Sequence, residues 1–218
     1  MNYFKTEKRT AFIAVLLIFV IFLPFSVHSA YADDAETVNS WPQAPSVYGA
    51  SAILMDADSG AILYASNAHE RLYPASITKI MTGLLAIENL NLNDTITYTN
   101  QILITIPSDA AKLGLVEGET TTIRDALYAL LLRSANEVAT GLAFQVSGSE
   151  SEFAKIMTER AAQAGALDTH FANASGLHQD DHYTTAYDMA MIAKTAMANP
   201  EFATIWGSEN YTLAATNK

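Results

Sequence analysis

Ser76 and Lys79 stand three residues apart in the string Pro74-Ala75-Ser76-Ile77-Thr78-Lys79-Ile80-Met81-Thr82, at the start of what reads as a helix. Three residues is a little under one helical turn, so both side chains project from one face. A hydroxyl is a weak nucleophile near neutral pH and needs a base within hydrogen-bond reach. A lysine amine can be that base where burial or a neighbouring cation lowers its pKa. The pair therefore points to acyl transfer through a serine. The string is not decisive alone, because a chain of this length holds about one Ser-x-x-Lys by chance. A surface helix with a Ser near its start and an exposed Lys one turn on has the same pattern.

A second string, Leu132-Arg133-Ser134-Ala135-Asn136-Glu137, lies between two apolar helical runs. On such a short connection the Ser134 hydroxyl can relay a proton between Lys79 and a leaving amine. The Asn136 amide can hold a substrate carbonyl and also hydrogen-bond Lys79. Helix capping is the other use of these residue types. Ser208-Glu209-Asn210 has the same Ser-x-Asn pattern but lacks the helix-to-helix setting.

The elements that must position these groups follow from patterning. Two apolar runs, 50–56 and 61–65, flank an Asp58-Ser59-Gly60 turn and predict a β-hairpin. Ile77, Ile80, Met81, Leu84, Leu85 and Ile87 form a broad stripe, so the helix carrying Lys79 is largely buried. Residues 94–98 and 119–122 are short, Thr-rich and β-leaning, with a loop-rich excursion between them. Thr122 and Asp125 form a capping box that opens the apolar helix through Leu132. Further helices are predicted over 138–146, from Ser149 to about 163, and from Thr185 to about 198, with a short turn at 200–206. Residues 169–183 read as loop, and 211–213 as the possible start of a strand. Two strands followed by a long helical section make an α+β pattern. A two-stranded hairpin is not a stable sheet alone, so it should pair with strands not visible in the pattern.

The N-terminus has the order of a secretory signal peptide. Lys5, Lys8 and Arg9 precede the apolar run 11–25, and Ala30-Tyr31-Ala32 is the cleavage box. A retained anchor is the alternative, but the run is short for a span and contains Pro24. The expected organisation is a signal peptide over 1–32, a leader over 33–49 and a domain from 50 to 218. Of the 12 basic and 23 acidic residues, 1–32 holds three and one, so the remainder carries a net charge of −13. That charge argues against nucleic acid as a partner. The chain has no cysteine, which excludes disulfides, thiol catalysis and Cys-ligated metal. His178 and His182 are four apart but lie in a loop with Gly176, Asp180 and Asp181, so no metal site is expected.

Ser-x-x-Lys followed by Ser-x-Asn resembles the motif order of penicillin-binding proteins and serine β-lactamases. The likeness extends to Leu54-Met55-Asp56-Ala57-Asp58-Ser59-Gly60, to residues 71–82, and to 171–177 and 182–190. It runs from about residue 50 to the C-terminus, and points to the low-molecular-mass D-alanyl-D-alanine carboxypeptidases. The resemblance implies a β-lactamase/transpeptidase-like α+β fold, a helical cluster packed on an antiparallel sheet. It implies Ser76 as acylated nucleophile, Lys79 as base, Ser134 as proton relay and Asn136 as a substrate-positioning group. It further implies removal of the terminal D-Ala from peptidoglycan stem peptides ending in D-Ala-D-Ala, acylation by β-lactams, and no cofactor. The setting would be extracytoplasmic, with peripheral membrane association through a C-terminal segment as a further implication.

One family feature is missing. Neither Lys-Thr-Gly nor Lys-Ser-Gly occurs, and the nearest string, Lys194-Thr195-Ala196, falls within a predicted helix. In the family this motif lies on a later sheet strand and supplies the cation for the substrate carboxylate. The chain is therefore expected to be C-terminally incomplete, lacking the later sheet strands and impaired in turnover. A class A-like β-lactamase is the rival of the same fold, but its Glu-x-x-Leu-Asn string is absent after Ser134. A non-catalytic wall-binding or penicillin-sensing module is the rival of another class.

Overall fold

Asp56 organises the first turn in the computed structural model, which describes residues 44–218. Its carboxylate accepts hydrogen bonds from the Ser59 N–H and hydroxyl, and Gly60 takes the positive φ that the turn needs. Strands β1 (Ala52–Met55) and β2 (Ile62–Ser66) therefore pair antiparallel, with an irregularity between Leu54 and Met55. The signal-peptide and cleavage-box expectations lie outside the described residues.

A single 3₁₀ turn, Ala75–Thr78, leads into helix α1 (Lys79–Asn89). Strand β3 (Thr95–Tyr98) pairs antiparallel with β4 (Glu119–Thr122), so the two Thr-rich segments satisfy each other. The excursion between them holds one extra element, the short helix α2 (Asn100–Leu103), which buries Ile102. Helix α3 (Ile123–Arg133) starts where the capping box places it: the Thr122 hydroxyl accepts from the Asp125 N–H at 3.0 Å. Helix α4 (Asn136–Ser147) follows after two residues, then α5 (Glu150–Gln163), capped by Ser149 on the Glu152 N–H. Helix α6 (Ala186–Met197) is capped by Thr185 on Asp188, and α7 (Pro200–Trp206) by Asn199.

Helix α1 is the axle of the helical cluster. It touches α3, α4, α5, α6 and α7, while α6 lies on β1 and β3 packs on α4. Its residues from Lys79 to Ala86 are buried except Ile80, which is partly so. Met81 and Leu84 meet Leu127, Leu130, Leu142 and Phe202 in one continuous core. Surrounding an element on all sides removes far more apolar area than a single-stripe contact, which favours a rigid position for whatever α1 carries.

Two sequence expectations need correction. Ile77 belongs to the buried stripe by its pattern but is 49% exposed. It belongs to the 3₁₀ turn, whose tighter winding takes it off the α-helical stripe. Residues 211–213 form no strand. The Tyr211 ring stacks on Tyr128 at 3.6 Å between ring centroids and its hydroxyl donates to Asp125, so this segment is held by side chains rather than by a ladder. Lys194-Thr195-Ala196 lies inside α6, as its pattern suggests.

Gly141 marks the closest approach of α4 to β3. A Cβ there would lie 2.9 Å from the buried Tyr98 ring. Gly141→Ala gains helix propensity but overpacks that contact, and we expect a net loss on the order of 1–2 kcal/mol. Urea unfolding measures it; a stabilised variant would contradict the packing.

Candidate active site

The 3₁₀ turn decides how the nucleophile and base meet. Residues three apart eclipse in a 3₁₀ helix, so Ser76 and Lys79 stack more directly than on an α-helix. Ala75 sits at φ +48°, a left-handed conformation that costs a non-glycine residue about 1–2 kcal/mol. Ser76 is exposed at the surface, whereas Lys79 is 3% exposed.

The Lys79 amine has three partners. Nζ lies 3.4 Å from Ser76 Oγ, 2.9 Å from Asn136 Oδ1 and 2.6 Å from the Ser175 carbonyl oxygen. An ammonium has three protons and fills all three contacts. A neutral amine keeps Asn136 and Ser175 as acceptors and turns its lone pair toward the Ser76 hydroxyl. Burial lowers the amine from 10.5 to about 8, opposed by the negative charge of Glu137. No neighbouring cation is needed for the shift.

Ser134 reaches the same hydroxyl from the other side. Its Oγ donates to Ser76 Oγ at 3.0 Å. Ser134 caps α3 in the left-handed conformation, φ +56° and ψ +32°, where Gly or Asn is usual. Its neighbour Ala135 is extended, and Asn136 begins α4. The connection is thus a sharp corner that aims one hydroxyl at Ser76 and one amide at Lys79. Both the capping and the site readings of this string describe its geometry: Ser134 terminates α3 and also touches Ser76. Asn136 donates from Nδ2 to the Ala111 carbonyl at 2.9 Å while its Oδ1 receives Lys79. All four residues singled out in the sequence therefore converge. Ser208-Glu209-Asn210 does not join them: the Ser208 hydroxyl bonds its own helix at Thr204, and Glu209 and Asn210 line a cavity with Tyr128 and Leu132.

Sequence reasoning overlooked the wall formed by residues 173–177. Asn173 Oδ1 accepts from the Ser175 and Gly176 N–H groups at 3.1 and 2.7 Å, an Asx-type turn that its Asn-x-x-Gly spacing could have announced. This turn points the Ser175 carbonyl at Lys79 and the Ala174 carbonyl at the Thr82 hydroxyl, 2.6 Å away. Gly176, at φ +83°, is pressed against the Ala75 carbonyl. Behind it, His182 is 2% exposed and lies 2.8 Å from Thr78 Oγ1. Its Nδ1 accepts from the Ala172 N–H, so Nε2 carries the proton and donates to Thr78. Burial lowers His182 from 6.5 to about 4, aided by His170. His178 is elsewhere, edge-on to Tyr73, so His178 and His182 serve different contacts.

Two outcomes follow from this wall. A Cβ at position 176 would lie 1.9 Å from the Ala75 oxygen. Gly176→Ala should therefore cost on the order of 2–4 kcal/mol in urea unfolding. His182 is neutral when folded and titrates at its ordinary value when unfolded, so the unfolded chain binds more protons between about 4 and 6.5. Stability should accordingly fall as pH drops through that window, by on the order of 3 kcal/mol from this residue. His182→Asn should flatten that part of the pH–stability curve; an unchanged slope would refute the assignment.

Residues 38–217 match the family model for D-alanyl-D-alanine carboxypeptidase. The D-alanyl-D-alanine carboxypeptidase DacF of Bacillus subtilis is 37% identical over 174 residues, 77% of this chain and 44% of that protein. The solved D-alanyl-D-alanine carboxypeptidase from Mycobacterium tuberculosis superposes with TM-score 0.71 at 31% identity, covering 77% of this chain and 62% of that one. Penicillin binding protein 6B from Escherichia coli gives TM-score 0.73 at 28% identity, covering 81% and 59%. The chain spans about half the length of the curated relatives it matches. It belongs to the D-alanyl-D-alanine carboxypeptidase family, and its helical cluster with small antiparallel sheets is the α+β fold of that family's penicillin-binding structures.

Proposed function

We propose that this chain carries the acyl-enzyme machinery of a serine-type D-Ala-D-Ala carboxypeptidase acting on peptidoglycan stem peptides outside the cytoplasm. The observation that carries the reading is one exposed hydroxyl, Ser76 Oγ, lying 3.4 Å from a buried amine and 3.0 Å from a second hydroxyl. Neutral Lys79 takes the Ser76 proton as Oγ attacks the carbonyl of the penultimate D-Ala. A tetrahedral adduct forms and collapses; the C–N bond breaks and the terminal D-Ala amine leaves with a proton relayed through Ser134. Water then hydrolyses the Ser76 ester by the same proton route in reverse. Asn136 holds Lys79 in place, and a free N–H of its amide can meet the substrate. A β-lactam presents a strained amide to the same hydroxyl and stops at the acyl stage. No step draws on a metal or cofactor.

Two further features shape the proposal. The basic, apolar and small-residue order at the N-terminus supports export. The 218 residues contain no Lys-Thr-Gly or Lys-Ser-Gly to bind the substrate carboxylate.

The test is acylation by a labelled penicillin, read by mass spectrometry of the intact and digested chain. One adduct on Ser76 is expected, absent from Ser76→Ala. Its rate should rise with pH through about 8 as Lys79 loses its proton, since only the neutral amine can accept one. Lys79→Ala should abolish the rise. A chain with no Ser76 adduct would be a non-catalytic wall-binding module instead, and rapid hydrolysis of the penicillin would favour a β-lactamase.

A further inference from the structure

Glu137 is a buried carboxylate that the proposed reaction does not use. It is 2% exposed and follows Asn136 in the first turn of α4. Oε1 accepts from the Leu113 N–H at 2.6 Å and the Gly114 N–H at 3.0 Å. Oε2 is buried without a hydrogen-bond partner among the described residues. Leaving a buried carboxylate oxygen unpaired is costly, so its retention calls for a compensating role.

The segment that Glu137 grips has no regular secondary structure. Residues 111–114 lie between α2 and β4, and their position depends on what ties them down. Asn136 ties the Ala111 carbonyl through both its backbone N–H and its Nδ2, each at 2.9 Å. Glu137 ties the Leu113 and Gly114 N–H groups. Two consecutive residues of α4 thus clasp one strip of chain, and the first of them also holds Lys79 through Oδ1. Loosening the strip frees the Asn136 amide to turn away from Lys79.

The charge of Glu137 has a second consequence. Other charges on the elements around α1 are paired elsewhere or face away from it: Lys155 pairs with Glu152 and Glu159 is exposed on α5, and Lys194 of α6 lies beside Gly60. Glu88 pairs with Arg160, and Glu201 with Arg124. Asp188 accepts from Thr169, Asp125 from Thr122 and Tyr211, and Glu150 contacts Thr140 and the Ala174 N–H. His182 is bound to Thr78, and Arg133 and Lys112 are exposed, Lys112 on the wall of the ≈ 260 Å³ cavity that Glu137 also lines. Glu137 is the carboxylate whose field acts on the Lys79 amine.

We propose that Glu137 is a positioning residue of the site: its carboxylate clasps residues 111–114 so that Asn136 stays on Lys79, and its buried charge acts on that amine. The proposal rests on the reading of Lys79 as the base. Its catalytic sense is a compromise. Without Glu137 the amine is neutral more often but less well held.

NMR titration of isotope-labelled lysine and glutamate side chains in the full chain tests this without turnover. In the wild type the Lys79 amine should titrate near pH 8. Glu137→Gln keeps an acceptor for Leu113 and Gly114 but removes the charge, so the Lys79 midpoint should move to lower pH. Glu137→Asp keeps the charge but shortens the reach. Its Lys79 midpoint should shift less, while the Leu113 and Gly114 amides exchange faster with solvent. A midpoint unchanged or raised in Glu137→Gln overturns the proposal. So do Leu113 and Gly114 amides that exchange with solvent as fast as unbonded ones in the wild type, a measurement that needs no variant to fold. A wild-type chain that never acylates at Ser76 refutes the acyl-enzyme reading, while the Lys79 midpoint still decides the role of Glu137.

Discussion

The placement of one amine out of water organises the site. Lys79 is buried at the first turn of a helix that packs against five others, where an unpaired ammonium would be strongly disfavoured. Two fixed acceptors, Asn136 Oδ1 and the Ser175 carbonyl, make the site tolerable for the charged form without restoring water. Burial still dominates, and the amine falls into the range where it can exchange a proton near neutral pH. Every other feature of the site either holds those acceptors or brings a hydroxyl to the third contact.

The acceptors come from separate parts of the chain, and each is fixed by a local device. Ser175 is turned inward by the Asn173 side chain, and the turn abuts the nucleophile through Gly176. Asn136 is fixed by starting a helix one extended residue after a left-handed serine. Ala75 and Ser134 both adopt positive φ without being glycine, one beside the nucleophile and one carrying the hydroxyl that meets it. Local strain of this kind persists when the surroundings over-determine it. Here the surroundings are the packed faces of α1, α3 and α4 and the buried Thr78–His182 contact.

Much of the scaffold could be read from residue types. Thr122, Ser149 and Thr185 each announce a helix start, because a side-chain oxygen three residues before an acidic residue satisfies an otherwise unpaired N–H. The turn at 58–60 is legible from its residue types, whereas the carboxylate that organises it belongs to Asp56, inside the predicted strand run 50–56. What periodicity could not supply was pairing at a distance. The β3–β4 ladder joins segments separated by the whole excursion, and neither strand names its partner. Ile77 was misplaced because a 3₁₀ turn and an α-helix share the same apolar residues and differ only in winding. Residues 211–213 have the pattern of a possible strand start, but stacking on Tyr128 and bonding to Asp125 depend on tertiary neighbours that the pattern does not contain.

The sequence by itself determined the candidate chemistry. Ser76 and Lys79 lie three residues apart, so any helical winding brings them to one face, and Ser134-Ala135-Asn136 offers a hydroxyl and an amide on one corner. Only the tertiary structure decided that these two strings meet, 58 residues apart between Ser76 and Ser134, and that Lys79 is buried rather than solvated. It also supplied the Ser175 carbonyl, the His182 support and the Glu137 clasp. The physical reason is that spacing fixes direction along one element, whereas desolvation depends on what the rest of the chain packs around it.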